Sequence, residues 1–223
     1  IVPGSSLSAG LERTVGVEEY MYLGEAMEDA AGHAVRAAYE VDGDGLQDVV
    51  VGARVHSTGG FEAGKGYVLL GASLGTPGEV RSLADADFGY YGTQEGGWLG
   101  YQAAGAGDVD GAGLADVMFG AHTSDSNRGR VYLIYGASLG LSLQAADVAD
   151  VIFEGENWSD HAGRTIAPAG EVDGDGRADL LFGARNAGDR VGRAYLVLGE
   201  SVSEGVFDLA DADVRFIGEE RQD

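Results

Sequence analysis

The chain has 223 residues and carries 37 acidic against 14 basic side chains, a net charge of −23 at pH 7. That balance excludes a nucleic-acid partner and an anionic membrane surface, both of which need clustered Lys and Arg. A hydrophobic content of 44% excludes acidic disorder, and the lack of cysteine excludes disulfides, thiol catalysis and cysteine-ligated zinc.

Elements repeat along the chain. The segment from Ile1 to Leu7 lines up with Val68 to Leu74 and with Tyr135 to Leu139, and Tyr20 to Gly24 supplies a further strand. Together they predict a half-unit, followed by three full units. Each unit has strand A from a glycine (Gly32, Gly100, Gly163) and then an acidic block. Strand B is an apolar run ending in Gly-Ala (Val49 to Ala53, Val117 to Ala121, Leu180 to Ala184). Strand C lies around a Tyr four residues ahead of a glycine (Tyr67, Tyr132, Tyr195). Strand D lies around an aromatic two residues ahead of another glycine, at Tyr22, Tyr90, Phe153 and Phe216. The segments are short, rich in Val, Tyr, Phe and Leu, and bounded by Gly, Asp and Ser, which favours strands. Residues 143–148 and 209–214 have room for one helical turn each. The longest apolar runs, such as Val131 to Tyr135, are strand-sized and too short to span a membrane as a helix. The predicted fold is therefore all-β: a β-propeller segment of four-stranded antiparallel blades, divided as 1–27 (half-blade, strands C and D), 28–95, 96–158 and 159–223. A β-sandwich is the competing architecture, but it does not predict near-identical acidic turns at matching positions. An open stack exposes a sheet face at each end, a surface for self-association or for the remainder of a longer propeller.

The acidic block occurs three times: Glu40-Val-Asp-Gly-Asp-Gly-Leu-Gln-Asp48, Asp108-Val-Asp-Gly-Ala-Gly-Leu-Ala-Asp116 and Glu171-Val-Asp-Gly-Asp-Gly-Arg-Ala-Asp179. Positions one, three, five and nine offer carboxylates: Glu40, Asp42, Asp44 and Asp48 in the first; Asp108, Asp110 and Asp116 in the second; Glu171, Asp173, Asp175 and Asp179 in the third. Position seven (Leu46, Leu114, Arg177) offers a backbone carbonyl. Two carboxylates ~4 Å apart repel by roughly 4 kcal/mol at an effective dielectric of ~20, so the loop needs a cation. Hard oxygen ligands on a flexible loop select Ca²⁺ over Mg²⁺ or Zn²⁺, and two to three ions are expected. The second loop carries Ala112 in place of an acid, so its affinity is expected to be lower. An EF-hand would need a bidentate Glu at position twelve, where this chain has Val51, Phe119 and Phe182 inside strand B. Solvated turns without metal are the plain alternative.

These motifs resemble the FG-GAP repeats of integrin α-subunit propellers and their calcium loop of form Asp-h-Asp-x-Asp-Gly-h-x-Asp. The resemblance covers nearly the whole chain. The Phe-Gly position reads Ala31-Gly32, Leu99-Gly100 and Ala162-Gly163, and Gly-Ala-Pro reads Gly52-Ala-Arg54, Gly120-Ala-His122 and Gly183-Ala-Arg185. The resemblance implies about three and a half blades of a seven-bladed propeller. It also implies calcium loops that join strands A and B on one face and rigidify the blades, with partners meeting the opposite face. On that geometry Arg54, His122 and Arg185 begin the B–C loops, and Trp98 and Trp158 fall in D–A loops, a composition suited to an interface. Packing between blades is the alternative role for each Trp.

No Gly-x-Ser-x-Gly elbow, His-Glu-x-x-His or P-loop is present, and His33, His56, His122 and His161 fall at unmatched repeat positions, expected at the surface or in turns. The expected function is a non-enzymatic, extracellular or cell-surface adhesion or protein-recognition module. The alternatives are a lectin-like glycan-binding propeller and an accessory domain of a larger secreted hydrolase. The acids outside the loops are expected to form a solvated surface.

Overall fold

In the computed structural model, residues 20–140 and 143–219 are described. The expected strand at Ile1 to Leu7 lies outside them. The strands are β1 (Met21–Leu23), β2 (Ala31–Tyr39), β3 (Asp48–Ala53), β4 (Lys65–Leu69), β5 (Val80–Ser82), β6 (Phe88–Tyr91), β7 (Gln102–Gly107) and β8 (Asp116–Ala121). They continue as β9 (Arg130–Ile134), β10 (Leu143–Ala145), β11 (Val151–Glu154), β12 (Ala162–Gly170), β13 (Asp179–Ala184), β14 (Arg193–Val197), β15 (Gly205–Asp208) and β16 (Val214–Ile217). The fold is all-β. Among the described residues three antiparallel blades, β2-β3-β4-β6, β7-β8-β9-β11 and β12-β13-β14-β16, stand side by side without closing a ring.

The four-strand repeat is not the whole sheet. A short strand between C and D of each unit pairs in parallel with strand D of the unit before: β5 on β1, β10 on β6 and β15 on β11. Each blade thereby covers its predecessor's outer edge, which would otherwise present unpaired backbone groups. A 3-10 turn follows each of these strands, at Leu83–Asp85, Ala146–Val148 and Leu209–Asp211. Its first residue is buried, with Leu83 3%, Ala146 1% and Leu209 0% exposed.

Hydrophobic packing lies between blades. Val50, Val68 and Tyr90 of the first blade meet Val117, Phe119, Tyr132 and Ile134 of the second, while Met118, Leu133 and Phe153 meet Leu180, Phe182 and Tyr195 of the third. The ring pairs Tyr90–Phe119 and Phe153–Phe182 lie 6.0 and 4.7 Å apart. Every residue of β8, the middle blade's strand B, is buried, because that strand has a neighbour on both faces. Close approach explains the strand B glycines: a β-carbon on Gly52 would lie 2.0 Å from the Gly100 carbonyl oxygen, and one on Gly120 would lie 2.3 Å from that of Gly163. Among the described residues no strand covers the outer side of the last blade. Phe216 is 54% exposed where its repeat equivalents Tyr90 and Phe153 are 1% and 0% exposed.

Candidate metal centres and the opposite loop face

Each acidic block links strand A to strand B, and it brings one carboxylate oxygen from each of three residues to within 4.8 Å of one another. The sets are Glu40, Asp42 and Asp48; Asp108, Asp110 and Asp116; and Glu171, Asp173 and Asp179. These are positions one, three and nine. The position-six glycines Gly45, Gly113 and Gly176 turn the chain at φ of 84°, 91° and 87°, a region open to glycine at little cost.

Position nine is a buried keystone. Asp48, Asp116 and Asp179 are 1%, 1% and 0% exposed. Their Oδ2 atoms accept the position-two N–H groups of Val41 (2.7 Å), Val109 (2.7 Å) and Val172 (2.6 Å). Their Oδ1 atoms accept the N–H groups of Gly71 (2.8 Å), Gly136 (2.9 Å) and Gly199 (2.9 Å), the glycines that follow strand C. The Tyr-x-x-x-Gly landmark thus marks where strand C ends on the loop's last acid. Burial pushes the Asp116 carboxyl up to about 7; the two backbone donors pull it back only in part, and Asp110 and Asp108 add to the rise. Asp48 is raised by the same cause.

Position five behaves differently. Asp44 and Asp175 stand outside the three-oxygen sets, and their Oδ1 atoms each accept the position-seven N–H, from Leu46 and Arg177, at 2.7 Å. Position three makes the same local turn: Asp42, Asp110 and Asp173 accept the position-five N–H at 3.1, 2.8 and 3.1 Å. Leu46, Leu114 and Arg177 occupy position seven as the sequence requires. Their side chains diverge in consequence, since Leu114 packs against Gly43 of the first loop and Arg177 against Gly111 of the second.

The donor set suits a hard cation. All the candidate side-chain ligands are carboxylate oxygens, and in the second loop Asp108 Oδ1 is buried without a hydrogen-bond partner while its Oδ2 accepts from Gly113 N–H. A buried carboxylate oxygen without a partner is costly, and a cation among the three acids would satisfy it. Successive loops are also joined through their backbones: Ala115 N–H donates to the Glu40 carbonyl and Ala178 N–H to the Asp108 carbonyl, both at 2.8 Å.

On the opposite face, three of the five expected partner residues come together. Arg54 lies over the Trp98 ring at 4.9 Å, and the Trp98 and His122 rings are 5.7 Å apart. The histidines His33 and His161 join them, as do Tyr101 and Arg164, which the sequence reading does not pick out; Tyr101 lies two residues after Leu99 of its repeat. Tyr101 contacts His122 at 4.1 Å and His33 at 4.7 Å, and Arg164 caps the Tyr101 ring at 5.3 Å. Arg185 is exposed at the matching position of the third blade. Trp158 stands apart, 77% exposed, beside an open groove lined by Asn157, Asp160 and Asn186. Of the four histidines, expected at the surface or in turns, His56 and His122 are buried, at 7% and 2% exposure, and His122 sits in the turn that follows β8. His56 sits 3.5 and 3.6 Å from Glu25 and Asp29. Burial drives the His122 pKa down to about 3, and Arg164, His161, Arg185 and Arg54 push it the same way.

Among the described residues no helix is long and apolar enough to cross a membrane. No family model matches the chain. The chain is similar to Integrin alpha-PS2 of Drosophila melanogaster, at 28% identity over 148 residues, 62% of this chain. It spans about 10% of that relative's length. With the all-β, blade-like fold, this similarity points to an integrin-alpha-like relationship.

Proposed function

We propose that the chain is a calcium-stabilised, integrin-like FG-GAP propeller segment that serves as an extracellular adhesion or protein-recognition module and has no enzymatic activity. The observation that carries this is the threefold convergence of one oxygen each from positions one, three and nine, with Asp108 Oδ1 buried and unpartnered. Each loop would hold one Ca²⁺ through these carboxylates, and a bound ion would cancel the mutual repulsion of acids that the fold places side by side. The loops then fix how strand A meets strand B, and the joined loops fix how blade meets blade. Extracellular calcium at millimolar level would fill sites of modest affinity. The exposed edge and face of β16 suit self-association or the remainder of a propeller.

Thermal unfolding of metal-stripped protein, with and without added calcium, tests the reading. One fully occupied site at about 100 times its Kd stabilises by about 2.7 kcal/mol, equivalent to roughly 5–10 °C for a chain of this size. An unchanged melting temperature at millimolar calcium would remove the metal from the account.

A further inference from the structure

Arginines in this chain have carboxylates in abundance to choose from. Arg128 pairs with Glu154 and Asp208, Arg130 with Glu154, and Arg193 and Arg215 with Glu156. Arg36, Arg81, Arg177 and Arg190 form no such pair among the described residues, and neither do three arginines at the ends of strands β3, β12 and β13. Arg54, Arg164 and Arg185 form no ion pair with any carboxylate among the described residues. Two of them are held by rings instead: Arg54 lies over Trp98, and Arg164 lies over Tyr101 while donating from Nη1 to His122 Nε2 at 3.2 Å. Glu62, the carboxylate at Trp98, accepts the indole N–H at 3.1 Å. Arg54 Nε is buried without a hydrogen-bond partner.

The placement follows from the repeat. Arg54, His122 and Arg185 each follow a strand B Gly-Ala, so three successive blades deliver them to one end of the assembly. His122 accepts from Arg164 at Nε2, which puts its own proton on Nδ1; as a neutral ring it orients the guanidinium without competing for an anion. The backbone at Trp98 and His161 is left-handed, at φ of 55° and 58°, as it is at the equivalent Ala30 (54°), so the repeat's own turn before strand A sets where these two side chains leave the chain. Two forked donors fixed on aromatic faces, with a third arginine exposed beside them, present positive charge and apolar surface together.

We propose that this cluster is a receptor for a single carboxylate side chain, Asp or Glu, presented by a protein partner. This rests on the assignment of the face opposite the calcium loops as the recognition face, and it names the chemistry recognised there. A net charge of −23 repels a polyanion, whereas a lone carboxylate enters within the ~8 Å screening length of physiological salt. Trp98 and Tyr101 supply apolar contact for the rest of the segment.

The test uses Trp158→Phe protein, so that Trp98 is the sole tryptophan and is excited apart from the ten tyrosines at the red edge of the indole band, in saturating calcium. The probes are the capped peptides acetyl-Gly-Asp-Gly-amide and acetyl-Gly-Asn-Gly-amide. The aspartyl peptide should change Trp98 emission saturably with a Kd of about 1–10 mM, at least about tenfold tighter than the asparaginyl peptide, as charge-assisted recognition requires. Arg54→Gln and Arg164→Gln should each weaken it about tenfold, and Arg36→Gln, on the exposed part of β2, should not. If Arg164→Gln fails to fold, Arg185→Gln takes its place with an expected loss of about threefold. No saturable change, equal response to the two peptides, or tighter binding of sialyllactose than of the aspartyl peptide would each overturn the proposal. A calcium-dependent melting shift is read separately, so loss of the calcium role and loss of this site are distinguishable.

Discussion

Calcium stabilisation should depend on pH through Asp116, and the sign can be worked from the structure. Its folded pKa, pushed up by burial to about 7, lies above an unfolded value of ~3.9. In metal-free protein the folded chain therefore holds a proton that the unfolded chain releases. The associated stability is fully present below pH ~4 and is lost as pH rises through about 7, on the order of 4 kcal/mol as an upper bound. His122 works in the opposite sense. Its folded pKa of about 3 lies below the unfolded value of ~6.5, so its contribution is present above pH ~6.5 and is lost as pH falls. The two largely cancel in a plain pH profile. Of these two groups Asp116 alone competes with a cation, so the difference between calcium-loaded and metal-stripped protein removes His122 and leaves Asp116 with the other raised ligands, Asp48 and Asp173. Below the Asp116 pKa, each pH unit weakens calcium about tenfold at the second loop, and two units remove about 2.7 kcal/mol. Calorimetric scans should then show a calcium increment roughly 5–10 °C smaller at pH 5 than at pH 7.5. Asp116→Asn should flatten that dependence. It should also cost about 1–3 kcal/mol at every pH, since an amide cannot accept from both Val109 and Gly136. An increment of equal size at both pH values would refute the assignment of Asp116 as ligand.

Three further outcomes are expected. Arg177→Leu removes a guanidinium lying against Gly111 of the second loop, where the first loop has Leu114, and should tighten calcium there about three- to tenfold by isothermal titration, with no change at the first loop. Gly120→Ala puts a methyl 2.3 Å from the Gly163 carbonyl oxygen and should destabilise by about 3 kcal/mol or more in urea unfolding, the upper end for overpacking. Asp150→Ala leaves Tyr135 N–H and Ser138 Oγ without their acceptor and should cost about 1–3 kcal/mol in the same assay, with calcium affinity unchanged.

Strands A to D and the acidic loops were legible because they rest on local pattern: an apolar run, a ring at fixed distance from a glycine, acids at alternate positions. The strands β5, β10 and β15 were not, because a strand of three or four residues shows too little alternation to read and its partner lies more than 50 residues away in the neighbouring unit. A signal for them existed in Leu83-Ala-Asp85 and Leu209-Ala-Asp211, whose leucines are the buried anchors. Positions three and five carry the same residue type, and in both loops that have an acid at each position both turn one oxygen onto a loop N–H; only position three brings an oxygen into the three-acid set, a difference of local geometry that residue type does not settle. Trp98 and Trp158 looked equivalent by loop, yet only Trp98 is gripped, by Glu62 at its N–H and Arg54 on its face.

The acid excess divides by mechanism. Eleven of the 37 acids lie in the three blocks. Asp87, Asp150 and Asp213, one residue ahead of strand D, each accept the N–H just before the strand C glycine, from Leu70, Tyr135 and Leu198 at 2.8 Å. Strand C is thus clamped at its end by two carboxylates, one from the acidic loop and one from the approach to strand D. A cation drawing on Asp48, Asp116 or Asp179 acts on the acid that holds strand C as well as on the loop. Because Ala115 and Ala178 hand the next loop to the carbonyls of Glu40 and Asp108, ordering one loop restrains the loop that follows. Calcium bound on one face would therefore set the spacing of blades whose opposite ends carry Arg54, His122 and Arg185, which is how a metal far from the arginine cluster would keep its three contributors in register.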